Sequence, residues 1–321
     1  MQSYETLPGN TPLIRISFRR GGESTVRSVY AKLEWCNPTG SIKDRMAAYI
    51  FARAQEQGAL RPGQPVVEMT SGNTGIAFAA LGALTGHPVH IFMPDYMSVE
   101  RVRLLRLYGA EVHLVTAAQG GFSGAKRMAE EAAAAMDAFR PAQFENDGNP
   151  LAHFYGTGAE LARQLPEVSA FAAGVGTGGT LMGVARRLAQ AKIIAVEPAE
   201  APALSRPDAP MQAHRIEGIG DGFIPQIVKR SRIDRVIAVH DGDAVRMAAR
   251  LSAELGLGAG ISSGANFLGA ALAAETLPGA VATVFPDDSK KYLTGVLANP
   301  PAAEPGALSE AFELLDWEKI G

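Results

Sequence analysis

Runs of apolar residues alternate with longer segments of helical spacing along most of this chain. In the first half, the runs PVVEMT, PVHIFMP and EVHLVT are each followed by such a segment. The runs AFAAGVG, KIIAVEP, RVIAVHD and AVATVFP continue the pattern after a break at FENDGNP. Alternating strands and helices are typical of parallel sheets that helices cover on both faces. We therefore predict two three-layer α/β/α domains with mostly parallel, twisted sheets, which meet near residues 143–152.

The C-terminal residues differ from this pattern. The segment ANPPAAEPG is rich in proline and alanine, which is typical of a linker. Leu308, Phe312, Leu315 and Trp317 then form the apolar face of a stretch too short to be a stable isolated helix. We expect residues 298–321 to form a linker and a tail that docks on the body of the protein or on a second subunit.

Composition excludes several classes of function. A formal net charge of -3 and a pI near 6.1 provide no basic field, so we expect no nucleic-acid partner. The single cysteine, Cys36, cannot form an internal disulfide, and the polar start MQSYETLPGN lacks the features of a secretion signal. We find no apolar run that would span a bilayer and no spacing typical of metal ligands. We therefore expect a cytoplasmic protein with no membrane and no metal as partner.

Four glycine-rich stretches fall where a predicted strand gives way to a helix. Backbone amides and the helix dipole converge on a bound anion at such junctions. One stretch of this kind commonly does no more than let a strand turn tightly into a helix, but four in one chain indicate a ligand site. They are NPTGSIKD at 37–44, TSGNTG at 70–75, GVGTGGT at 174–180 and GISSGAN at 260–266.

The stretch GVGTGG also matches the dinucleotide-binding pattern G-x-G-x-x-G. Glu197 closes the next predicted strand, about where such a fold places its ribose-binding acid. An NAD(P)-dependent oxidoreductase is therefore an alternative, although it leaves Lys43 and TSGNTG without a role. The stretch itself demands only a phosphate, surrounded by backbone amides and threonine hydroxyls.

Lys43 is the candidate nucleophile. Lysines are most often solvated, but Ser41 is placed to cap a helix that begins at Ile42 or Lys43. An ammonium group at the positive end of a helix is electrostatically unfavourable, which favours the neutral amine. A neutral amine attacks carbonyl groups, including the aldehyde of pyridoxal phosphate. In contrast, we expect Lys290 and Lys291 to form a solvated face at the end of a strand.

Six ordered motifs resemble those of a known family. They are NPTGSIKDRMA, EMTSGNTGIA, MPDYMSVERVRLLRLYGAEV, GTGGTLMGV, EGIGDGFIP and GISSGA. Together they resemble the cysteine synthase (O-acetylserine sulfhydrylase) and cystathionine β-synthase family of pyridoxal-phosphate enzymes, whose fold is tryptophan synthase β-like, fold type II. The resemblance extends from GNTPL at 9–13 to KKYLTG at 290–295. It implies a smaller mobile domain of residues 44–150 and a larger cofactor-binding domain of residues 1–43 and 151–297.

The resemblance implies which residues bind the cofactor. Lys43 would hold pyridoxal 5'-phosphate as a Schiff base and later carry the Cα proton of the substrate. Asn73 would form a hydrogen bond with the phenolate oxygen of the ring, and Ser262 would face the pyridine nitrogen. A hydroxyl partner need not keep that nitrogen protonated, which favours β-elimination over deeper carbanion chemistry. The phosphate would be bound by Gly176, Thr177, Gly178, Gly179 and Thr180.

The resemblance also implies the reaction, a β-replacement in two stages. An amino acid loses its Cα proton and a leaving group on Cβ, which leaves an α-aminoacrylate, and sulfide or a thiol then adds to Cβ. The expected product is L-cysteine, formed from O-acetylserine and sulfide. A homodimer is implied as well, and the C-terminal tail of a serine acetyltransferase is a possible partner. The substrate would be bound by Thr70, Ser71, Gly72, Thr74, Gln143 and Gly220.

Two acidic residues depart from the family pattern. Glu217 stands where many O-acetylserine enzymes have glutamine, and Asp221 stands where a small residue is usual. Two acids beside the site would repel a phosphorylated serine, so O-phosphoserine is disfavoured as donor. Homocysteine stays open as acceptor, so a cystathionine β-synthase-type condensation is one alternative. Another is a family-like protein that binds a partner without turnover, although such a protein has no need of Lys43, Asn73 and Ser262.

Overall fold

The computed structural model describes residues 7–320, and within this range ten strands form one sheet of seven strands and one of three. The larger sheet has the order β10-β1-β2-β9-β6-β7-β8. Strand β1 pairs antiparallel with both neighbours, and the remaining pairs are parallel. These strands are β1 (Leu13–Arg20), β2 (Arg27–Leu33), β6 (Val168–Gly174), β7 (Lys192–Pro198), β8 (Arg235–Val239), β9 (Ala280–Phe285) and β10 (Phe312–Ile320).

The smaller sheet is entirely parallel and has the order β3-β4-β5. Its strands are β3 (Val66–Met69), β4 (Val89–Pro94) and β5 (Glu111–Val115). Side chains from one face pack in a core with helices α1 (Lys43–Glu56), α2 (Asn73–Thr85) and α3 (Val99–Leu107). The opposite face packs against α4 (Gly121–Ala135).

Helices also cover both faces of the larger sheet. Helices α8 (Asp241–Leu255) and α9 (Ile261–Ala274) pack on one face, and α6 (Thr157–Gln164) and α7 (Gly179–Arg187) on the other. Helix α5 (Gly148–Tyr155) lies between α1 and α7. The predicted α/β/α layers are therefore confirmed. No helix within residues 7–320 is both long enough and apolar enough to cross a membrane.

The C-terminal tail is a strand and not a helix. Residues 312–320 pair antiparallel with β1, with Leu13 opposite Ile320. Phe312 and Leu314 are buried while Glu313 between them is exposed, which is the alternation of a strand on the edge of a core. The sequence analysis expected a docking tail and did not foresee a strand, which forms because the free edge of β1 supplies the hydrogen bonds that a lone strand lacks.

Candidate active site

Two adjoining cavities lie where the connections of the two sheets meet. We name them the Thr70 cavity and the Gly176 cavity after residues that line one and not the other. Ligands of open α/β sheets lie outside the carboxyl ends of the strands. Thr70 directly follows β3, and Gly176 lies shortly after the end of β6. The side chains that line both cavities are those of Lys43, Asn73, Thr177 and Glu217. Lys43 therefore faces both cavities.

Most of the predicted site residues line these cavities. The Thr70 cavity contains Thr70, Ser71, Thr74 and Gln143. The Gly176 cavity contains Gly176, Thr177, Gly178, Thr180 and Ser262.

Three predicted glycines lie outside both cavity linings. Gly72 packs against the side chain of Arg101, and Gly179 begins α7 against the side-chain amide of Asn149. Gly220 lines a third, adjoining cavity and donates its N–H to the carbonyl of Val175 at 3.0 Å. These glycines shape the walls through close packing.

The turn before α1 holds Lys43 at the start of the helix. Ile42, and not Ser41, occupies the N-cap position, although the Ser41 hydroxyl accepts a hydrogen bond from the Lys43 N–H at 3.3 Å. The Asp44 carboxylate accepts hydrogen bonds from the N–H and the hydroxyl of Thr39, at 2.9 and 2.7 Å. Ser41 therefore stands one residue before the N-cap position, although its hydroxyl still accepts a hydrogen bond from the first residue of α1. Asp44 fixes the other side of the turn.

A buried ion network anchors the first turn of α1. Arg45 donates to Glu34 at 2.6 Å and to Glu160 at 2.7 Å, and Lys32 pairs with Glu160 at 2.7 Å. All four side chains are almost completely buried, so removing one would leave an uncompensated charge in the interior. The network ties α1 to β2 and α6 and so fixes the backbone two residues from Lys43.

The pKa of Lys43 is lowered, chiefly by burial, while Asp287 and Asp221 raise it and Lys291 lowers it further. The direction agrees with the predicted neutral amine, but the main cause is desolvation and not the helix dipole. The ammonium form of Lys43 must lose a proton to become the neutral amine, and the two carboxylates whose charge acts on it can accept that proton. The site is therefore arranged for a lysine that changes its protonation state.

Asn73 lies in a polar cluster with two residues from the loop after β9. Its amide nitrogen donates to the Asp287 carboxylate at 2.8 Å, and its amide oxygen accepts from Lys291 Nζ at 2.9 Å. Lys291 also donates to the carbonyl of Gly40 at 3.0 Å, and burial lowers its pKa. The prediction that Lys291 is solvated was wrong, because the loop folds inward at the carboxyl end of β9.

The loop after β3 presents hydroxyls and amides to the Thr70 cavity. The Thr70 hydroxyl accepts the N–H of Gly72 at 3.0 Å. The Thr74 hydroxyl donates to the Gln143 side-chain oxygen at 2.7 Å, and the Gln143 amide nitrogen donates to the Met69 carbonyl at 3.0 Å. These bonds fix the direction of the Gln143 side chain. A carboxylate in the cavity would meet hydroxyls and amides at the start of α2, which favours an anion.

Arg101 is a site residue that the sequence analysis did not predict. Its buried side chain lines the Thr70 cavity, pairs with Glu217 and lies 3.9 Å from the Asp287 carboxylate. Its guanidinium carbon lies 4.6 Å from the centre of the Tyr292 ring. The negative charge of Glu217 is thus offset, which weakens the expectation that two acids repel a phosphorylated donor. The available signal was the spacing of Arg101 four residues before apolar Leu105, because residues at that spacing share one face of a helix.

Asp221 is the second acid of the site. Its half-buried carboxylate lines the Thr70 cavity, and burial raises its pKa, although Lys43 and His214 lower it. A carboxyl group with a raised pKa exchanges protons closer to neutral pH than an ordinary aspartate. Asp221 is therefore suited to proton transfer beside Lys43.

The glycine loop fits a phosphate group. Gly178 has a φ of +83° at the N-cap of α7, and a side chain at Gly176 would overlap with the carbonyl of Gly218. The Thr177 hydroxyl accepts from Asn149 at 2.9 Å, and buried His153 supports Thr180 from behind at 3.3 Å. Backbone amides at the N-terminus of a helix, beside a lysine amine and a serine hydroxyl in one cavity, suit the phosphate, aldehyde and ring nitrogen of pyridoxal phosphate.

Glu197 does not serve as a ribose-binding acid. Its buried carboxylate accepts the N–H groups of Leu204 and Ser205 at 2.7 and 3.0 Å. It therefore holds the turn after β7, and neither cavity is lined by it. This geometry argues against the dinucleotide-binding alternative.

Comparisons with known proteins agree with a site for pyridoxal phosphate. Residues 4–287 match the family described as pyridoxal-phosphate dependent enzyme. The cysteine synthase of Staphylococcus aureus (strain N315) is 40% identical over 294 residues, which cover 89% of this chain and 93% of that protein. A hydrogen sulfide-producing enzyme from Fusobacterium nucleatum superposes with a TM-score of 0.92 at 46% identity, over 97% of this chain and 95% of the other. The cysteine synthase of Entamoeba histolytica superposes with a TM-score of 0.85 at 34% identity, over 97% and 94%. The chain therefore belongs to the family of pyridoxal-phosphate dependent enzymes.

Proposed function

We propose that this enzyme forms L-cysteine from O-acetylserine and sulfide by β-replacement. The observation that carries the proposal is the position of Lys43 on the wall shared by the Thr70 and Gly176 cavities. One cavity offers groups for an amino-acid carboxylate, and the other offers a phosphate cradle. The similarity to cysteine synthases at 40% identity supports the same reaction.

Pyridoxal phosphate, when bound, supplies an aldehyde for amines and a ring that withdraws electrons from Cα. Lys43 would bind the aldehyde and then hold the Cα proton on Nζ, which its lowered pKa permits. Thr70, Ser71 and Thr74 would bind the carboxylate of the amino acid and so orient its Cα hydrogen toward Lys43. Ser262 would face the ring nitrogen from the first turn of α9.

A product assay tests the proposal. The purified holoenzyme is offered O-acetylserine or serine, each with sulfide or with homocysteine, and the products are identified by mass. We expect cysteine from O-acetylserine and sulfide as the dominant product. Cystathionine as the dominant product would replace the proposal with a cystathionine β-synthase-type reaction, and no amino-acid product in any arm would leave a protein that binds without turnover.

Release of hydrogen sulfide from cysteine is a second candidate, which the position of Asp221 favours. A β-replacement with cysteine as donor expels sulfide, and a carboxyl group beside Cβ can transfer a proton to the leaving group or from the incoming one. The similar Fusobacterium nucleatum enzyme is described as hydrogen sulfide-producing. Sulfide evolved from cysteine faster than cysteine is formed, with a loss on Asp221→Asn but not on exposed Asp208→Asn, would favour this candidate.

We also propose an assembly and a motion for this enzyme. It would be a cytoplasmic homodimer, as cysteine synthases typically are dimers, and residues 44–150 would close over the bound amino acid. The same carboxylate-binding loop could take the C-terminal carboxylate of a serine acetyltransferase. A peptide with that C-terminus should then compete with O-acetylserine, and the same peptide with an amidated C-terminus should not.

A further inference from the structure

Three side chains that commonly bind metals converge on the smaller sheet. His90 lies on β4, and Glu111 and His113 lie on the adjacent edge strand β5. The register places Glu111 opposite His90 and His113 opposite Phe92. Because side chains two residues apart in a strand share a face, all three project on the face that packs against α4. Glu111 begins β5 and His90 is the second residue of β4, so the group lies near the opposite end of the sheet from the Thr70 cavity.

The distances within this group suit a single metal ion. His90 Nδ1 lies 3.4 Å from one carboxylate oxygen of Glu111, and His113 Nε2 lies 3.5 Å from the other. Ligand atoms from all three residues lie within 4.8 Å of one another. Two ligands that are each about 2.0–2.1 Å from a tetrahedral zinc ion are separated by roughly 3.3–3.4 Å. The observed separations are close to that value.

The two imidazole nitrogens are buried atoms without a hydrogen-bond partner. Neither His90 Nδ1 nor His113 Nε2 has a hydrogen-bond partner among the described residues, and each lies farther from the Glu111 carboxylate than in an ordinary hydrogen bond. A buried polar atom without a partner is costly, and a bound ion or water commonly provides the missing partner. Each nitrogen points toward the same carboxylate, so one cation between them would satisfy both.

We propose that His90, Glu111 and His113 bind a zinc-class divalent cation, with water at the remaining position. Two imidazoles and one carboxylate are a set of ligands that zinc and neighbouring transition metals prefer, whereas calcium and magnesium prefer oxygen alone. The Glu111 side chain is 64% exposed, so the fourth ligand comes from solvent. The sequence analysis expected no metal. It could not detect this site because His90 and Glu111 are brought together only by the register of β4 and β5.

The site would join the edge strand β5 to β4 and so stabilise the smaller sheet. Strand β5 has five residues and lies at an edge of the smaller sheet, so within that sheet its pairing depends on β4 alone. A ligand that binds only the folded state raises stability by an amount that grows with the logarithm of its concentration relative to its Kd. Zinc should therefore raise the melting temperature without a requirement for substrate.

Zinc titration of the full-length holoenzyme tests the proposal. The protein carries Cys36→Ser, because the exposed thiol of Cys36 is itself a possible zinc ligand. It is treated with chelator, desalted and titrated with ZnCl₂ against a chromophoric chelator. We expect one zinc per chain, and at least tenfold weaker binding in Glu111→Gln and in His113→Gln. His240→Gln is the matched control, because exposed His240 contacts Glu200 at 3.1 Å outside the group of three.

A second readout uses Co²⁺ in the same proteins. The parent should give a visible ligand-field spectrum that His113→Gln lacks, and the cofactor absorbance should be unchanged in every variant. Failure of the parent to bind zinc or cobalt overturns the proposal. Equal binding by the parent and both ligand variants overturns it as well, and so does a loss in His240→Gln as large as in His113→Gln. Exposed Glu111 gives a variant that should fold normally, so a failure to bind is interpretable.

Discussion

Arg101 pairs with Glu217 across the wall of the Thr70 cavity. Arg101 belongs to α3, beside the smaller sheet, while Glu217 belongs to the segment between β7 and β8 of the larger sheet. The same guanidinium lies near Asp287 and over the ring of Tyr292. A single buried side chain therefore joins the two halves of the site.

Removal of this cation should destabilise the protein. In Arg101→Gln, Glu217 and buried Asp287 lose their compensating charge, and we expect a cost of about 2 to 4 kcal/mol in the free energy of unfolding. Urea denaturation measures the cost. Adding Glu217→Gln should recover part of it, whereas additive losses would contradict a direct pairing. Arg127→Gln, which breaks an exposed pair with Glu131, should cost less than about 1 kcal/mol.

Gly72→Ala should disturb the substrate loop. Gly72 has a φ of +148°, and an alanine side chain would overlap with that of Arg101. We expect an increase of roughly tenfold or more in KM for the amino-acid donor, because a small displacement of a positioning group is costly. At the other end of α2, Gly86→Ala meets open space at a φ of +75° and should cost only about 1 kcal/mol of stability. An unchanged KM in Gly72→Ala would show that the loop tolerates the displacement.

Thr74→Val should weaken substrate binding while the cofactor stays bound. The substitution keeps the shape of the side chain but removes the hydroxyl that donates to Gln143 at 2.7 Å. We expect KM for the donor to rise by about fivefold, which corresponds to the usual net contribution of a hydrogen bond, about 1 kcal/mol. Thr85→Val removes a similar hydroxyl, which donates to the Leu81 carbonyl at the far end of α2, and should leave KM unchanged. Equal effects of the two substitutions would contradict a specific role for Thr74.

Glu68 should make stability depend on pH. Burial raises the pKa of Glu68 from 4.5 to about 7, although the N–H groups of Met69 and Gln143 lower it. The folded state therefore prefers the protonated form, and its stability should fall as pH rises from about 4.5 to 7. The expected loss is about 3 kcal/mol.

Urea unfolding at pH 5 and pH 8 measures this loss in the native chain and in two variants. Glu68→Gln should reduce the difference between the two pH values, since the neutral amide cannot ionise. Glu56→Gln, at an exposed position near the end of α1, is the control and should behave like the native chain. If Glu68→Gln keeps the full pH dependence of stability, that dependence arises from another ionisable group.

The sequence predicted the parts of the site that depend on local backbone structure. Lys43, Asn73 and Ser262 stand at or near the start of a helix in a short motif, and the resemblance assigned their roles without any long-range contact. The strands β1 and β2 were not predicted, although Ile14, Ile16 and Phe18 show the alternation of a strand.

Long-range packing determines what the sequence did not predict. Arg101 and Lys291 look like surface cations in sequence, and their burial depends on how α3 and the loop after β9 fold inward. The group of His90, Glu111 and His113 depends on strand register, which residue spacing alone does not give. The strand at the C-terminus likewise depends on the free edge of β1.

Chemical trapping of the cofactor tests the central claim most directly. The holoenzyme is reduced with borohydride, digested and mapped by mass spectrometry. We predict that the label is found on Lys43, that Lys43→Ala carries none, and that Lys291→Ala, which lacks the buried amine that contacts Asn73, is still labelled at Lys43. A label on Lys291 or on any other lysine of the native protein, or no label at all, would contradict the account.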